Sequence, residues 1–278
     1  MKELIFKLLS ILGLKHFALG GLKIIRLFYV TRIKYIFNSN VKSQNKNYKS
    51  IPIIIISFNQ LFYLKQLIDF LKINNYTNLI IIDNNSTYKP LLDYFETIES
   101  SVTLFRLKEN LGHLVFWKNK EIYNKYSKGY YVVTDPDIVP LEECPKDFLL
   151  YFKSILEHNH RLTKVGFSLK LDDIPETNPK KNKILDWESK FWSIQNKDGN
   201  YPTAIDTTFA LYKPNYLYDK HNFYAAIRTK APYQARHGGW YLDAENLTKE
   251  QKYYFANCNE SSSWKINDNG DLFTKDYD

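Results

Sequence analysis

The chain has 278 residues, 44% of them hydrophobic, enough to bury one large core or two small ones. Its formal net charge is +8, but ten of the 38 Lys/Arg fall within residues 1–50 beside a single acid, Glu3, so the remainder is close to neutral. That distribution excludes a protein built as a whole to grip nucleic acid, and two cysteines, Cys144 and Cys258, exclude a disulfide framework or a thiolate metal cage.

Residues 1–37 are apolar but interrupted by a base every few positions, so they contain no uncharged span of the length a transmembrane helix needs. Lysines and arginines continue through the apolar region, unlike a signal peptide. Leu4, Leu8, Ile11, Leu12, Leu22, Ile25, Phe28 and Tyr29 share one broad helical face flanked by bases. This pattern predicts one or two helices lying in the surface of an anionic membrane; packing on the protein's own body is the competing reading. The polar stretch 38–50 reads as a linker, giving a basic amphipathic extension and linker over 1–50 and a body over 51–278.

The body opens with "IPIIIIS" (51–57), a β-branched run expected as a buried parallel strand. Asn59 is expected to cap a helix in which Leu61, Leu64, Leu67, Ile68 and Leu71 keep helical spacing. "NLIIIDNNS" (78–86) and "VTLFRL" (102–107) are the second and third strands, the latter running into "KENLGH". A helical stretch then leads to "GYYVVTDPD", the fourth. Alternating strands and helices predict an α/β fold with a mainly parallel sheet flanked by helices.

Each strand ends in polar residues: Ser57 and Asn59, Asp83 to Ser86, Asn110 to His113, and Asp135 with Asp137. In an open parallel sheet these carboxyl ends share one edge, where ligands bind. Neither GxGxxG nor GxxxxGK[ST] occurs, so a diphosphate here would need a metal. On an extended backbone Asp135 and Asp137 would point to the same side, with Pro136 stiffening the pair. Hard oxygen ligands of this kind suit Mg²⁺ or Mn²⁺.

"IIIISFN", "LIIIDNNS", "ENLGH" and "TDPDI", in this order, resemble the nucleotide-sugar-dependent glycosyltransferases of the Rossmann-like GT-A fold, nearest to the inverting family 2 of bacterial surface polysaccharide enzymes. The resemblance covers residues 51–140, which it implies are the nucleotide-sugar-binding half, with 141–278 the acceptor-side half. It implies that Ser57, Phe58, Asn59 and Asp83 contact the nucleoside, Asp83 accepting a hydrogen bond from the base. Asn84, Asn110, Gly112 and His113 would line the same pocket. "DPD" would stand as the family's DxD, with Asp135 near the ribose or metal and Asp137 ligating the metal.

In the second half "VGFSLKL" (165–171) and "AIDTTFALY" (204–212) read as strands, separated by an acceptor-side insertion rich in Trp and Phe (172–200). Where the family usually carries a Glu-Asp or Asp-Asp pair the chain has "IDTTF", so Asp206 is the candidate base, ahead of Glu188, Asp186 and Asp243. His237, before two glycines, is the candidate third metal ligand; Arg228 and Arg236 are candidate phosphate partners, and Trp240 and Tyr241 candidates to stack on an acceptor sugar. The resemblance implies metal-dependent, inverting transfer of a hexosyl or N-acetylhexosaminyl group from a nucleotide diphosphate-sugar, UDP foremost. The acceptor would be a glycan or lipid-linked oligosaccharide at the cytoplasmic face of the membrane, in capsule or lipopolysaccharide assembly, with Mn²⁺ or Mg²⁺ as cofactor and no nucleic acid partner. Two alternatives stay open: a nucleotidyltransferase acting on sugar phosphates, whose usual Gly-rich basic loop "SFNQLFYL" lacks, and a non-catalytic glycan-binding protein.

Overall fold

Four consecutive isoleucines with no solvent-facing position need helices on both sides of their strand. The computed structural model, which describes residue 21 and residues 35–218 and 225–258, supplies them. Its strands are β1 (Ile53–Ser57), β2 (Leu79–Asp83), β3 (Thr103–Arg106), β4 (Tyr131–Thr134), β5 (Ile138–Pro140), β6 (Lys164–Leu169), β7 (Ala210–Tyr212) and β8 (Ala226–His237). They form one sheet in the order β3-β2-β1-β4-β7-β6-β8-β5, in which β5 and β7 alone among the described strands run against the rest. The architecture is the mainly parallel α/β sheet flanked by helices that the sequence predicts. The helices are α1 (Ser39–Lys46), α2 (Phe62–Ile73), α3 (Lys89–Ile98), α4 (Val115–Lys118), α5 (Lys120–Tyr126), α6 (Phe148–His158), α7 (Lys181–Ser189) and α8 (Lys249–Asn257).

The period-2 geometry of a strand divides the isoleucines between two cores. Ile53, Ile55 and Ile81 pack with Leu64, Leu67, Ile68 and Leu71 of α2, Leu91 and Phe95 of α3, and Phe148 and Phe152 of α6. Ile54, Ile56, Ile80 and Ile82 face the other way, onto Val115 and Phe116 of α4 and Ile122 of α5. Each fully buried isoleucine contributes about 1.5–3 kcal/mol, an upper figure because the unfolded chain is itself partly collapsed. The sheet register then aligns the strand ends: Ser57 lies beside Asp83, and Asp83 beside Arg106.

Several expectations need correction. The stretch 38–50 is not a free linker: Asn38 caps α1, and buried Gln44 donates to Tyr130 O and accepts from Tyr130 N, each at 2.8 Å, tying the helix to the start of β4. "AIDTTFALY" is strand only from Ala210; residues 204–209 are irregular. Strands β5 and β8 escaped sequence reading because β5 is three residues long and β8 carries Pro232 and a register shift opposite Phe167 and Ser168. The expected membrane-facing helices fall almost wholly outside the described residues. Among the described residues no helix is long and apolar enough to cross a membrane.

Asn59 does not cap α2. It sits at φ +50° and its Oδ1 accepts from Thr87 N and Tyr88 N, at 2.8 and 3.0 Å, bracing the turn after β2 instead. The free N–H groups of Leu61 and Phe62 are taken by the carboxylate of Glu250 on α8, at 3.0 Å each. A carboxylate there also meets the positive end of the helix dipole. Replacing Glu250 with Ala should lower stability by about 1 kcal/mol, as for loss of a helix cap, with Glu250→Gln recovering part of it. Thermal melting checks this, and unchanged melting in Glu250→Ala would remove the capping role.

Candidate active site

At the carboxyl edge of β1 and β4 a cleft of about 440 Å³ opens, lined by residues as far apart in the chain as Ile56 and Cys258. Its floor is the DPD segment. Asp135 to Asp137 do not continue β4: Pro136 and Asp137 form a turn between β4 and β5, so the expected same-side geometry of an extended pair does not apply. The two carboxylates are instead anchored to different walls. Asp135 accepts from the Thr207 hydroxyl at 2.8 Å. Asp137, only 6% exposed, accepts from Gly239 N at 3.0 Å, while its main-chain oxygen accepts from Gly238 N at 2.7 Å.

The two glycines serve this packing directly. A Cβ on Gly238 would sit 2.4 Å from the Tyr63 ring, and one on Gly239 would press on His237 and Asp137 at 3.2 and 3.3 Å. His237 is the last residue of β8, paired with Ile138 of β5, rather than part of a loop. Its ring stacks on Trp240 at 4.8 Å. Its Nδ1 is buried, 3.3 Å from Asp137 Oδ2, and makes no hydrogen bond.

Asp206 reaches the cleft from the irregular segment 204–209. Thr207, a potential partner for its carboxylate, is engaged by Asp135. Among the described residues that line the cleft, the acids are Asp135, Asp137, Asp206, Glu188 and Glu250; they meet one guanidinium, Arg228, and no lysine. Arg228 is already bound to Glu188 at 2.6 Å, with both side chains buried. Burial first, and then the adjacent Asp137 carboxylate, push the Asp135 carboxyl well above the ordinary carboxylate range; Thr207 pulls it back and Asp206 adds to the rise.

The sequence-predicted residues separate into two groups. Phe58, Asn84, Asn110, Gly112, His113, Asp135, Asp137, Asp206, His237 and Trp240 all line the cleft. Gly112 makes its turn at φ +78°, which glycine adopts without strain. Ser57, Asn59 and Asp83 are buried behind the wall. The Asp83 carboxylate is engaged by Ser86 N at 3.1 Å and by Arg106 Nε at 3.4 Å, fixing the turn after β2 rather than facing the cleft. Tyr241 points away to Asp173, as does Arg236 at 2.8 Å, so neither faces the cleft. Trp240 is 1% exposed and lies under His237, which leaves it little face for a sugar.

Sequence reasoning missed Tyr63, Tyr254 and Phe255, which with Trp187 and Phe191 of the Trp- and Phe-rich insertion give the cleft its aromatic walls. Tyr254 of α8 packs edge-on against Phe58 at 6.4 Å. A signal for α8 was present: Thr248 and Gln251 form a capping box, readable as T-x-x-Q.

Among the described residues no three His, Cys, Asp or Glu side chains are grouped to hold a metal ion unaided. Asp137 and His237 nonetheless offer an oxygen and a buried, unbonded nitrogen 3.3 Å apart beside excess negative charge. Mg²⁺ and Mn²⁺ sites at diphosphates commonly take one or two protein ligands and fill the shell with water and phosphate oxygens. The donor set fits such an ion.

No family model matches the chain, and no curated protein does. Among solved structures the chain is similar to the mannosyltransferase PcManGT from Pyrobaculum calidifontis in complex with GDP-Man and Mn²⁺, at 14% identity and a TM-score of 0.42, over 83% of this chain and 70% of that one. It is similar to S. aureus TarS 1–349 at 13% identity and a TM-score of 0.43, over 68% of this chain and 60% of that one. A cytidylyltransferase from Leptospira borgpetersenii aligns at 10% identity and a TM-score of 0.34, over 59% of this chain and 60% of that one. Likeness this distant leaves the chemistry to be argued from the cleft.

Proposed function

We propose that the protein is a glycosyltransferase that moves a sugar from a nucleotide diphosphate-sugar, UDP-linked in the first instance, to a glycan hydroxyl. The observation that carries this reading is the crowding of acids in the cleft: with Glu188 paired to Arg228 and Glu250 to the leading amides of α2, Asp135, Asp137 and Asp206 remain, with no lysine and no unengaged guanidinium among the described lining residues. An anionic diphosphate would be repelled from such a site unless a divalent cation came with it. Asp137 and His237 would hold that cation, with Asp135 beside them. When bound, it would supply neutralisation of charge on the leaving diphosphate.

The chain's own residues do the rest. Phe58 and Tyr254 offer aromatic surface to a nucleobase, and Asn84, Asn110 and His113 offer polar contacts around it. Asp206 takes the proton of the acceptor hydroxyl as its oxygen bonds to the anomeric carbon. The bond from that carbon to the diphosphate oxygen breaks with its electron pair on the diphosphate. A single displacement of this kind inverts the anomeric centre. Trp187 and Phe191 also line the cleft and would offer an acceptor sugar the ring surface not covered by Lys190, over Trp187 at 3.0 Å, and Arg228, over Phe191 at 4.1 Å. The basic, apolar N-terminal stretch would bring the enzyme to an anionic membrane carrying a lipid-linked acceptor. A nucleotidyltransferase is disfavoured because no lysine is among the described residues lining the cleft.

Two outcomes follow from the charge argument. Asp135→Asn keeps the acceptor for Thr207 but removes a desolvated carboxylate that Asp137 and Asp206 repel. It should raise stability by about 0.5–2 kcal/mol, as when functional strain is relieved, and weaken Mn²⁺-dependent UDP binding; calorimetry reads both, and a destabilised variant would contradict the crowding.

Asp206→Asn should cut transfer by about 10²–10⁴-fold, the range for loss of a general base, with Mn²⁺-dependent UDP affinity little changed. Screening nucleotide sugars for transfer with and without a chelator tests the whole reading. Full turnover in excess chelator would exclude the metal, and no UDP binding with Mn²⁺ would exclude this donor.

A further inference from the structure

The segment that carries Asp206 belongs to no helix or strand, so no ladder holds its backbone. Its carbonyls must find partners elsewhere. Two buried cations provide them. Lys164, fully buried on β6, donates its Nζ to Ile205 O. Arg228, buried on β8, donates Nε to Ala204 O at 2.9 Å. Strands β6 and β8 are parallel neighbours, with Lys164 opposite Ala226 and Gly166 opposite Arg228, so the two cations grip successive peptide carbonyls from one part of the sheet. Arg228 is itself held by Glu188 at 2.6 Å and by the face of Phe191 at 4.1 Å.

A buried ammonium is a poor way to gain stability, since an apolar side chain of similar volume is often as good or better. Its place directly before Asp206 gives it another use. We propose that Lys164 and Arg228 form a two-point clamp that positions Asp206, making Lys164 a positioning residue for transfer although it does not line the cleft. The proposal rests on the base role assigned to Asp206 above.

Among the described residues, the charged groups that act on Lys164 include Asp206 on the irregular segment and Arg228 on β8, and the Tyr212 ring of β7 lies at 5.6 Å. Burial pulls the Lys164 ammonium down to about 8, with Asp206 opposing the fall and Arg228 adding to it. The folded value lies below the unfolded one, so burying the charge costs stability below about pH 8, and that cost fades as pH rises toward the unfolded value. The clamp's charge is lost over the same rise.

The test combines Lys164→Met with hydrogen–deuterium exchange and a double-mutant cycle. Lys164→Met should fold with unchanged or higher melting temperature, and exchange at residues 204–208 should quicken. Its kcat should fall about 10- to 100-fold, the scale of a small misplacement of a reacting group, with donor KM unchanged. In the Asp206→Asn background Lys164→Met should cause no further loss. Unchanged exchange, or an equal loss in both backgrounds, would overturn the clamp. Wild-type protein gives a second measurement should the variant fail to fold: exchange at 204–208, corrected for its intrinsic pH dependence, should rise through pH 8 as kcat falls, and a flat profile would overturn the proposal. Full transfer by Asp206→Asn would remove the base assignment, whereas quickened exchange in Lys164→Met would still support the clamp.

Discussion

Like charges held close together govern this molecule. Asp135 and Asp137 on the β4–β5 connection and Asp206 on the irregular segment reach one cleft, and the guanidinium at hand is spent on Glu188. The surrounding structure is organised to keep those acids in place despite their repulsion. Asp135 is tied to Thr207, Asp137 to the Gly238–Gly239 backbone, and the peptide before Asp206 to Lys164. The ties end on the irregular segment, on the turn after β8 and on β6, so the arrangement depends on distant parts of the sheet being assembled. Repulsion of this kind favours the protonated form of at least one member of the group, as the raised Asp135 carboxyl shows.

The central part of the fold was legible because its physics is local. Four isoleucines in a row have no amphipathic face, and only a strand covered on both sides accommodates them. Leu64, Leu67, Ile68 and Leu71 declared α2 by spacing alone, and those four are its buried residues. The polar clusters after the strands likewise marked the cleft edge, and Asn84, Asn110, Gly112, His113, Asp135 and Asp137 line it.

What was hidden depends on distant partners. Asn59 has the composition of a helix cap, but Thr87 and Tyr88 compete for its oxygen, and Glu250 reaches α2 first. Asp83 looks like a ligand-binding acid until Arg106, brought beside it by the β2–β3 register, engages it. Trp240 and Tyr241 are, by sequence, candidates to stack on a sugar or to lie in the core; one stacks under His237 and the other turns to Asp173. In each case a short-range pattern named the residue type correctly, and a contact far along the chain decided its use.

The Glu250 contact with α2 bears on the order in which the protein is made. Leu61 and Glu250 are 189 positions apart, so this contact closes a very long loop. A ribosome that has released only the first strands and helices has an α2 whose leading amides face water. Its cleft also lacks Tyr254, His237 and Asp206. The half that carries the first four strands is therefore translated long before the other wall of the cleft arrives, and a nascent chain is exposed at that edge. Contacts of such high sequence separation slow folding. They also place completion of the cleft after the synthesis of α8.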